Sequence, residues 1–188
     1  MARLKSDEKR HAILAAATRV IAAHGLGAPT ALIAKEAGIS NGSLFTYFET
    51  KAELLNQLYI ELKTEMGTAA FDAFPSENSP REQLRHVWTN WLHWAVTDPK
   101  KRRTLAHLSV SDEITAGSHQ AAALAFGEIA ALVDRCRSGG PMRTAPLSLV
   151  LTIMSGVADA AMDYMLRDPA NADAHCETAF EAAWRMIE

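Results

Sequence analysis

The chain has 188 residues, of which 48% are hydrophobic, and it carries a formal net charge of −3. This composition fits one or two globular domains with a real hydrophobic core, and the negative total excludes a uniformly basic nucleic-acid-binding protein. The two cysteines, Cys136 and Cys176, lie far apart without C-x-x-C spacing, so nothing suggests a disulfide framework.

No targeting or membrane-spanning segment is expected. The first residues, MARLKSDEKR, lack the apolar core of a signal peptide. The longest apolar stretches, near residues 121–125 and 147–154, are interrupted and shorter than a bilayer-spanning helix. We therefore expect a soluble, cytoplasmic protein with no membrane partner.

Charge is distributed unevenly along the chain. Residues 1–56 contain seven Lys or Arg and five Asp or Glu, a net charge of +2, so the remainder carries −5. A mildly basic N-terminal part and an acidic remainder fit a protein that binds DNA through one end only. A random division of charge would give the same figures, so this asymmetry supports other signals and does not stand alone.

The first predicted helix runs from a cap at Ser6 to about His24-Gly25. Its apolar residues recur at helical spacing and are expected to face the core. This helix should brace the two short helices that follow it. The apolar positions are Ile13, Leu14, Ala17, Val20 and Ile21.

The segment Thr30–Lys51, TALIAKEAGISNGSLFTYFETK, predicts two short helices joined by a tight turn, with a third helix starting directly after them. Gly38 ends the first helix, because glycine adopts the left-handed conformation at little cost. Ser40 is a good N-cap for the second helix, whose Leu44 and Phe48 face inward. Thr50 and Glu53 form a capping box at the start of the third.

The second of these helices has a small, uncharged outer side, which we call the reading surface. A helix of this kind can enter a major groove and offer hydrogen bonds to base edges and phosphates. Asn41 can pair with adenine through two hydrogen bonds, Gly42 permits close approach, and Thr46 can reach a base edge or a thymine methyl group. The reading surface consists of Asn41, Gly42, Ser43, Phe45, Thr46 and Tyr47.

The run Ile33–Leu55, IAKEAGISNGSLFTYFETKAELL, resembles the helix-turn-helix of the tetracycline-repressor (TetR) family of bacterial transcription regulators. The resemblance extends from about Lys9 to Leu58, about a quarter of the chain. It combines the IA-x-x-AG-x-S core, a small-residue pair, the L-F-x-Y-F stretch and a lysine that opens the next helix. The alternative is an ordinary helical hairpin inside a bundle.

The resemblance implies contacts for particular residues. Ser43, Tyr47 and Lys51 match phosphate-contacting positions of the family, and Thr30 matches a position near a phosphate, with helix capping as the equal alternative. Asn41 replaces a common lysine and Phe45 a common tyrosine, so a backbone contact and a hydroxyl contact differ from the family pattern. In the family, N-terminal arms can reach DNA, so Arg3 and Lys5 are also candidates for a DNA contact. The favoured interpretation of this segment is a solvated tail.

The remaining sequence predicts six further helices, with no stretch that alternates like a strand. The predicted fold is therefore all-α, with about nine helices: a three-helix DNA-binding head at residues 1–51 and a helical bundle for ligand binding and dimerisation at residues 52–188. The basic run Lys100–Arg103 is interpreted as a solvated surface turn in preference to a second nucleic-acid patch. The six helices span about 52–73, 80–97, a segment after Asp98-Pro99, 121–137, 145–167 and 172–187.

The resemblance further implies an inducer pocket among the fourth to eighth helices and a homodimer interface formed by the last two. Tryptophan offers large flat contacts and methionine adapts to varied shapes, so the expected inducer is largely apolar or aromatic. For each candidate residue, core packing is the alternative. The candidates are Trp88, Trp91, Trp94, Phe126, Met154, Met162 and Met165, with His93 and Asp159 as polar anchors.

No catalytic constellation is visible, because the sequence lacks a P-loop, an H-E-x-x-H pair and a G-x-S-x-G elbow. We expect no enzyme activity and no cofactor, and a metal site built from His86, His93, His107 and His119 is a minor alternative. The predicted function is a repressor that binds a palindromic operator as a homodimer and is released by a small-molecule inducer. A transcription activator, or a ligand carrier or enzyme that keeps the head fold, are the alternatives.

Overall fold

The computed structural model describes the backbone of residues 2–188 and the side chains of residues 7–124 and 126–188. The described residues form ten α-helices and one 3₁₀-helix, with no strand among them, which confirms the predicted all-α class. The helices are α1 (Ala2–His24), α2 (Thr30–Glu36), α3 (Asn41–Leu44), α4 (Lys51–Ala70), α5 (Pro80–Thr97), α6 (Pro99–Ser109), α7 (Ala116–Ala125), α8 (Gly127–Cys136), α9 (Leu147–Arg167), the 3₁₀-helix Pro169–Asn171 and α10 (Ala172–Ile187).

The start of α1 differs from the prediction. The helix begins at Ala2, before the predicted cap at Ser6, because residues 2–5 are all strong helix formers. The side chains of Arg3, Lys5 and Ser6 lie outside the described part of the chain. The DNA contacts predicted for Arg3 and Lys5 therefore stay predictions, whereas the prediction that Ser6 is the N-cap is wrong, because Ser6 lies inside α1.

The helix predicted at residues 121–137 is divided into α7 and α8, which raises the helix count above the expected nine. The break lies at Phe126, whose backbone (φ −108°, ψ 0°) departs from helical geometry. Gly127 follows, and glycine disfavours a helix interior because it loses the most backbone freedom on folding. α7 begins at Ala116, just after Thr115, whose hydroxyl accepts a hydrogen bond from the Ser118 backbone N–H at 3.2 Å.

Two predicted helix starts near the middle of the chain are confirmed. At α6, the Asp98 carboxylate accepts hydrogen bonds from the backbone N–H groups of Lys100 and Lys101 at 3.1 and 3.4 Å. At α5, the Glu82 carboxylate accepts from the Ser79 hydroxyl at 2.7 Å and from the Ser79 backbone N–H at 3.0 Å. These hydrogen bonds, led by that of the hydroxyl, lower the pKa of Glu82 from its ordinary value.

The chain forms two compact units. Unit 1 comprises Met1–Thr64 and Asp98–Ala122. Within it α1 packs against α2 and α6, and α2 packs against α3. The Thr104 hydroxyl donates to the Thr18 carbonyl at 2.8 Å and fixes α6 on α1. Large buried side chains of this unit include Ile13, Leu14, Ile21, Ile33, Leu44, Phe48, Leu54, Leu55 and Leu58.

Unit 2 comprises Glu65–Thr97 and Ala123–Glu188. Here α5, α8, α9 and α10 pack around Trp88, whose indole N–H donates to the Cys176 carbonyl at 3.3 Å. The Trp88 ring meets Phe180 edge-on at a centroid distance of 6.3 Å. Other buried residues of this core include Leu84, Leu92, Val133, Met154, Met162 and Ile187.

The predicted boundary at residue 51 falls within unit 1. α4 is one continuous helix from Lys51 to Ala70, and residues 98–122 fold with residues 1–64. The compact units therefore follow packing and not the predicted division by function. The assignment of DNA binding to residues 1–51 and of ligand binding to residues 52–188 stays a prediction.

α9 corrects one expectation about membrane segments. It is a single helix of 21 residues whose length and composition suffice to cross a bilayer, although we expected no such stretch. The apolar run read from the sequence stopped at Met154, because Ser155 and Gly156 interrupt the large side chains. Only 33% of the apolar stretch is buried, so much of this helix presents apolar surface to its surroundings.

Candidate nucleic-acid interface

α3 is positioned by the turn before it, by its cap and by one buried face. Gly38 has φ +70°, the left-handed conformation that favours glycine. The Ser40 hydroxyl accepts a hydrogen bond from the Ser43 backbone N–H at 3.1 Å. Leu44 and Phe48 are fully buried. The predicted turn, cap and burial of both residues are therefore confirmed, but α3 is shorter than predicted: it ends at Leu44, and Phe48 lies after the turn that follows it.

The reading surface lies on the solvent side of α3 and of the turn that follows it. Asn41, Gly42, Phe45 and Thr46 are exposed, and Tyr47 is half-buried along with Ser43. Phe45 keeps 40% of its surface exposed although its ring carries no polar group. The structure thus brings the six predicted residues to one accessible stretch and buries none of them.

Hydrogen bonds inside the head occupy some groups of the reading surface and leave others available. The hydroxyls of Ser40 and Ser43 are 2.8 Å apart, and the Thr46 hydroxyl donates to the Ser43 carbonyl at 2.7 Å. A hydroxyl retains acceptor capacity after it donates, so Thr46 can still accept. Among the contacts of the described residues, none engages the Asn41 amide or the Tyr47 hydroxyl.

Gly42 is not required by the packing of the chain itself. A Cβ added at this position would meet only the Ser40 hydroxyl oxygen, at an ordinary 3.9 Å. Glycine inside a helix destabilises it by about 0.5–1 kcal/mol relative to alanine. A residue that lowers stability and that the fold does not need is consistent with close approach by another molecule.

Lys51 contacts the loop that follows α1. Its Nζ donates to the Leu26 carbonyl at 2.6 Å. The ammonium has three donors, so this bond leaves two for a phosphate oxygen. The adjacent cap is present in modified form: the Thr50 hydroxyl accepts from the Glu53 backbone N–H at 3.0 Å, while the Glu53 carboxylate accepts from the Glu49 backbone N–H.

Thr30 is the first residue of α2 and is half-buried. The N-cap position belongs to Pro29, which has extended backbone angles (φ −71°, ψ 145°) and makes no side-chain cap bond. Thr30 therefore does not occupy the N-cap position of α2.

The charge of unit 1 has the sign that DNA binding requires. Its residues include twelve Lys or Arg and nine Asp or Glu, a net charge of +3, whereas unit 2 has seven and thirteen, a net charge of −6. The two values sum to the total of −3. Dividing the chain by its observed packing thus gives a larger contrast than the division at residue 56.

The predicted ligand-binding residues all fall in unit 2, and several of them form its packed core. Trp88, Met154, Met162 and Met165 are buried there. Trp91 packs against this core from the edge, with its ring centroid 6.0 Å from that of Trp88. Packing of the core is sufficient to explain why these four buried positions carry tryptophan and methionine.

The remaining ligand candidates lie nearer the surface. The Trp94 indole donates to the Glu65 carboxylate at 3.0 Å. His93 pairs with Asp173 of α10 at 2.9 Å while its side chain stays 41% exposed. Phe126 is half-buried at the α7–α8 break, and Asp159 is exposed on α9. The structure does not gather His93 and Asp159 into the buried core as a pair of anchors.

Comparison with known proteins shows which regulators this arrangement is similar to. The family model described as bacterial regulatory proteins, tetR family, matches residues 13–58. A TetR family transcription regulator from Marinobacter aquaeolei VT8 has a crystal structure with a TM-score of 0.83 and 26% identity, covering 98% of both chains. Residues 13–58 thus match the TetR family, and the fold of the whole chain is similar to that of a TetR family regulator.

Two further comparisons also concern transcription regulators. The HTH-type transcriptional regulator HbdR of Aromatoleum sp. (strain CIB) is 32% identical over 104 residues, which cover 53% of this chain and 43% of that protein. The match therefore spans less than half the length of HbdR. FadR from Bacillus subtilis in complex with stearoyl-CoA shares the fold, with a TM-score of 0.72 and 18% identity over 95% of this chain and 99% of that one.

The segment that matches the TetR family model lies wholly within unit 1 and contains Thr30, the reading surface and Lys51. Two residues that support this head were missed by the sequence analysis. Arg10 stacks over the Phe48 ring at 5.3 Å and donates to the Gln57 side chain at 2.9 Å. Asn56 donates to the Glu113 carbonyl and accepts from the Thr115 backbone N–H. No local sequence signal identifies such distant pairs.

Proposed function

We propose that this chain regulates transcription by binding a palindromic DNA operator as a homodimer, and that a small-molecule inducer releases it. The observation that carries the proposal is the exposed, nearly neutral reading surface on a capped helix of a TetR-type head. Surface of this kind suits hydrogen bonding to base edges in a major groove. Repression is favoured over activation by the family resemblance alone.

In this proposal the contacts divide between bases and backbone. Asn41 reads adenine, and Thr46 contacts a base edge or a thymine methyl group. Lys51 contacts the DNA backbone from the start of α4, as Ser43 and Tyr47 do from the reading surface. Gly42 lets the helix approach closely, Phe45 contributes its exposed ring, and Thr30 contacts a phosphate from the start of α2.

A homodimer is proposed through α9 and α10. α9 exposes Leu149 and Tyr164 at 48% and 59% of their surfaces. Between them lie exposed small residues, including Gly156, where an added Cβ would meet no atom within 4 Å. Large apolar side chains flanking small ones allow a second helix to pack closely. A second copy of the chain would cover the apolar surface that the single chain leaves exposed.

The inducer is proposed to bind in unit 2 and to be largely apolar or aromatic. Trp91 and Trp94 are half-buried beside the core, where aromatic side chains can contact such a molecule. A TetR-fold neighbour was solved with stearoyl-CoA, which has a long apolar chain. The assigned function needs no catalytic group or cofactor, and it places the protein in the cytoplasm with the DNA.

Selection of bound sequences from random duplex DNA tests this proposal directly. A homodimeric regulator is expected to enrich a palindrome with half-sites about one turn of B-DNA apart, or a multiple of it. A ligand carrier that merely keeps the head fold would enrich no consensus. Binding of the selected duplex should then weaken when an apolar ligand that stabilises the purified protein is added.

A further inference from the structure

Four consecutive cations, Lys100 to Arg103, are the second to fifth residues of α6, and the proposed function assigns them no role. Lys100 and Arg103 are exposed, and the two residues between them are half-buried. The first turn contains no acidic residue. We call these four residues the α6 basic run.

The α6 basic run opposes the electrostatics of its own helix. A helix N-terminus carries partial positive charge and favours acidic side chains, so four cations there are unfavourable for α6. Asp98 caps the helix but supplies only one negative charge. Sequences that break a local rule of this kind often do so at functional sites. The electrostatics of the helix itself therefore do not explain why four cations stand at this position.

The fold places the α6 basic run in unit 1, together with the reading surface. α6 is fixed on α1 by the buried bond between Thr104 and Thr18, and the Arg103 guanidinium reaches the Ala22 carbonyl at 3.5 Å. The Lys51 ammonium bonds the Leu26 carbonyl, which is four residues further along. Since four residues span at most about 14 Å, both cations approach the same end of α1.

From this placement we propose that the α6 basic run contacts DNA phosphates beyond the groove read by α3, extending the backbone contact made by Lys51. This inference rests on the proposed function, because it requires that unit 1 bind DNA. The run would add binding strength that is independent of base sequence, since phosphates carry no sequence information. It would compensate for the few charged residues on the reading surface itself.

The test compares full-length protein with the double variant Lys100→Ser/Arg103→Ser. Binding to the selected palindrome is measured across a range of salt concentrations. Each phosphate contact contributes a slope of about 0.9 in the plot of log affinity against log salt. Loss of two contacts in each protomer of a dimer would therefore make the slope shallower by about 3.6. The enriched consensus should stay the same, because no base contact is removed.

The matched control is Arg135→Ser/Arg143→Ser, which removes two exposed cations from unit 2. Its salt slope should equal that of the unaltered protein if contact, and not total charge, is responsible. Thermal unfolding provides a second readout. The single variant Lys100→Ser, which keeps the bond from Arg103 to the Ala22 carbonyl, should melt at the same temperature as the unaltered protein or higher, whereas a stabilising cation at this helix start would lower it when removed.

Three results would overturn the inference. If the unaltered protein enriches a palindrome but the α6 variant keeps the full salt slope, this inference falls and the proposed function stands. If both double variants change the slope equally, total charge is the cause. If the unaltered protein binds no duplex but sediments with phosphatidylglycerol vesicles through Lys100 and Arg103, the run is a membrane-surface contact and the proposed function falls as well.

Discussion

At the scale of single residues, substitution of Asn41 is expected to change the DNA sequence preference, whereas substitution of Lys51 is not. Replacing Asn41 with Ala should reduce operator affinity by about 1–3 kcal/mol and relax the preferred base at one position of each half-site, because a bidentate base contact is lost. Replacing Lys51 with Ala should weaken binding to operator and random duplex alike and make the salt slope shallower. Parallel titrations of both duplexes distinguish the two effects.

Lys51 needs a control for folding, because its ammonium also bonds the Leu26 carbonyl. The variant Lys51→Ala is expected to lose about 1 kcal/mol of stability from that bond. Titrations should therefore be made well below the unfolding temperature of each variant. If both variants bind operator and random duplex with unaltered affinity, the contact assignment for these residues is wrong.

Gly42 gives a prediction in which stability and binding move in opposite directions. Gly42→Ala should raise the free energy of unfolding by about 0.5–1 kcal/mol, because alanine is a better helix former and its Cβ meets no obstacle within the chain. The same Cβ would lie in the proposed DNA interface and should weaken operator binding. Chemical denaturation and operator titration measure the two quantities, and unimpaired binding would argue against close approach at this residue.

At the scale of elements, the loop between α8 and α9 packs against the end of the chain. A Cβ added at Gly140 would lie 1.8 Å from the carbonyl oxygen of Ile187, whereas one added at neighbouring Gly139 would meet nothing within 4 Å. Gly140→Ala should therefore destabilise the protein by about 1–3 kcal/mol or more through overpacking. Gly139→Ala is the matched control and should leave the denaturation midpoint nearly unchanged. Equal midpoints for the two variants would contradict this packing.

The helix ends show which structural features can be read from the sequence. The caps at Ser40, Asp98 and Ser79 were predictable, because each acts on backbone groups within three residues. The break at Phe126 was missed, because the alanines around it continue a helical pattern and only Gly127 opposes it. The early start of α1 was missed for a similar reason, since strong helix formers override a weak cap signal.

The residues that support the candidate site were less accessible to sequence reasoning than those that form it. Neutral side chains on both sides of the inward-facing Leu44 mark the reading surface, and that pattern is local. By contrast, the bonds from Lys51 to Leu26, Arg10 to Gln57 and Asn56 to Glu113 join residues 25, 47 and 57 positions apart. Such pairs depend on how helices pack, which hydrophobic periodicity alone does not specify.

At the scale of the whole molecule, the proposed operator binding and its release by an inducer both belong to a homodimer. Ala160 is an exposed small residue of α9, and Ala160→Arg would place a charged, bulky side chain in the proposed interface. This variant is expected to be monomeric by light scattering and to lose high affinity for a full palindrome. Ala131→Arg, at an exposed position of α8, should stay dimeric. A dimer that survives Ala160→Arg would place the interface elsewhere.

The central claim is that the reading surface lies against nucleobases, and photocrosslinking from Phe45 tests it most directly. A benzophenone analogue of phenylalanine in place of Phe45 keeps an aromatic ring at a position that is 40% exposed. Irradiation of the protein on its selected duplex is predicted to give crosslinks to bases within both half-sites. Crosslinks confined to protein, or spread evenly along any duplex, would contradict the account.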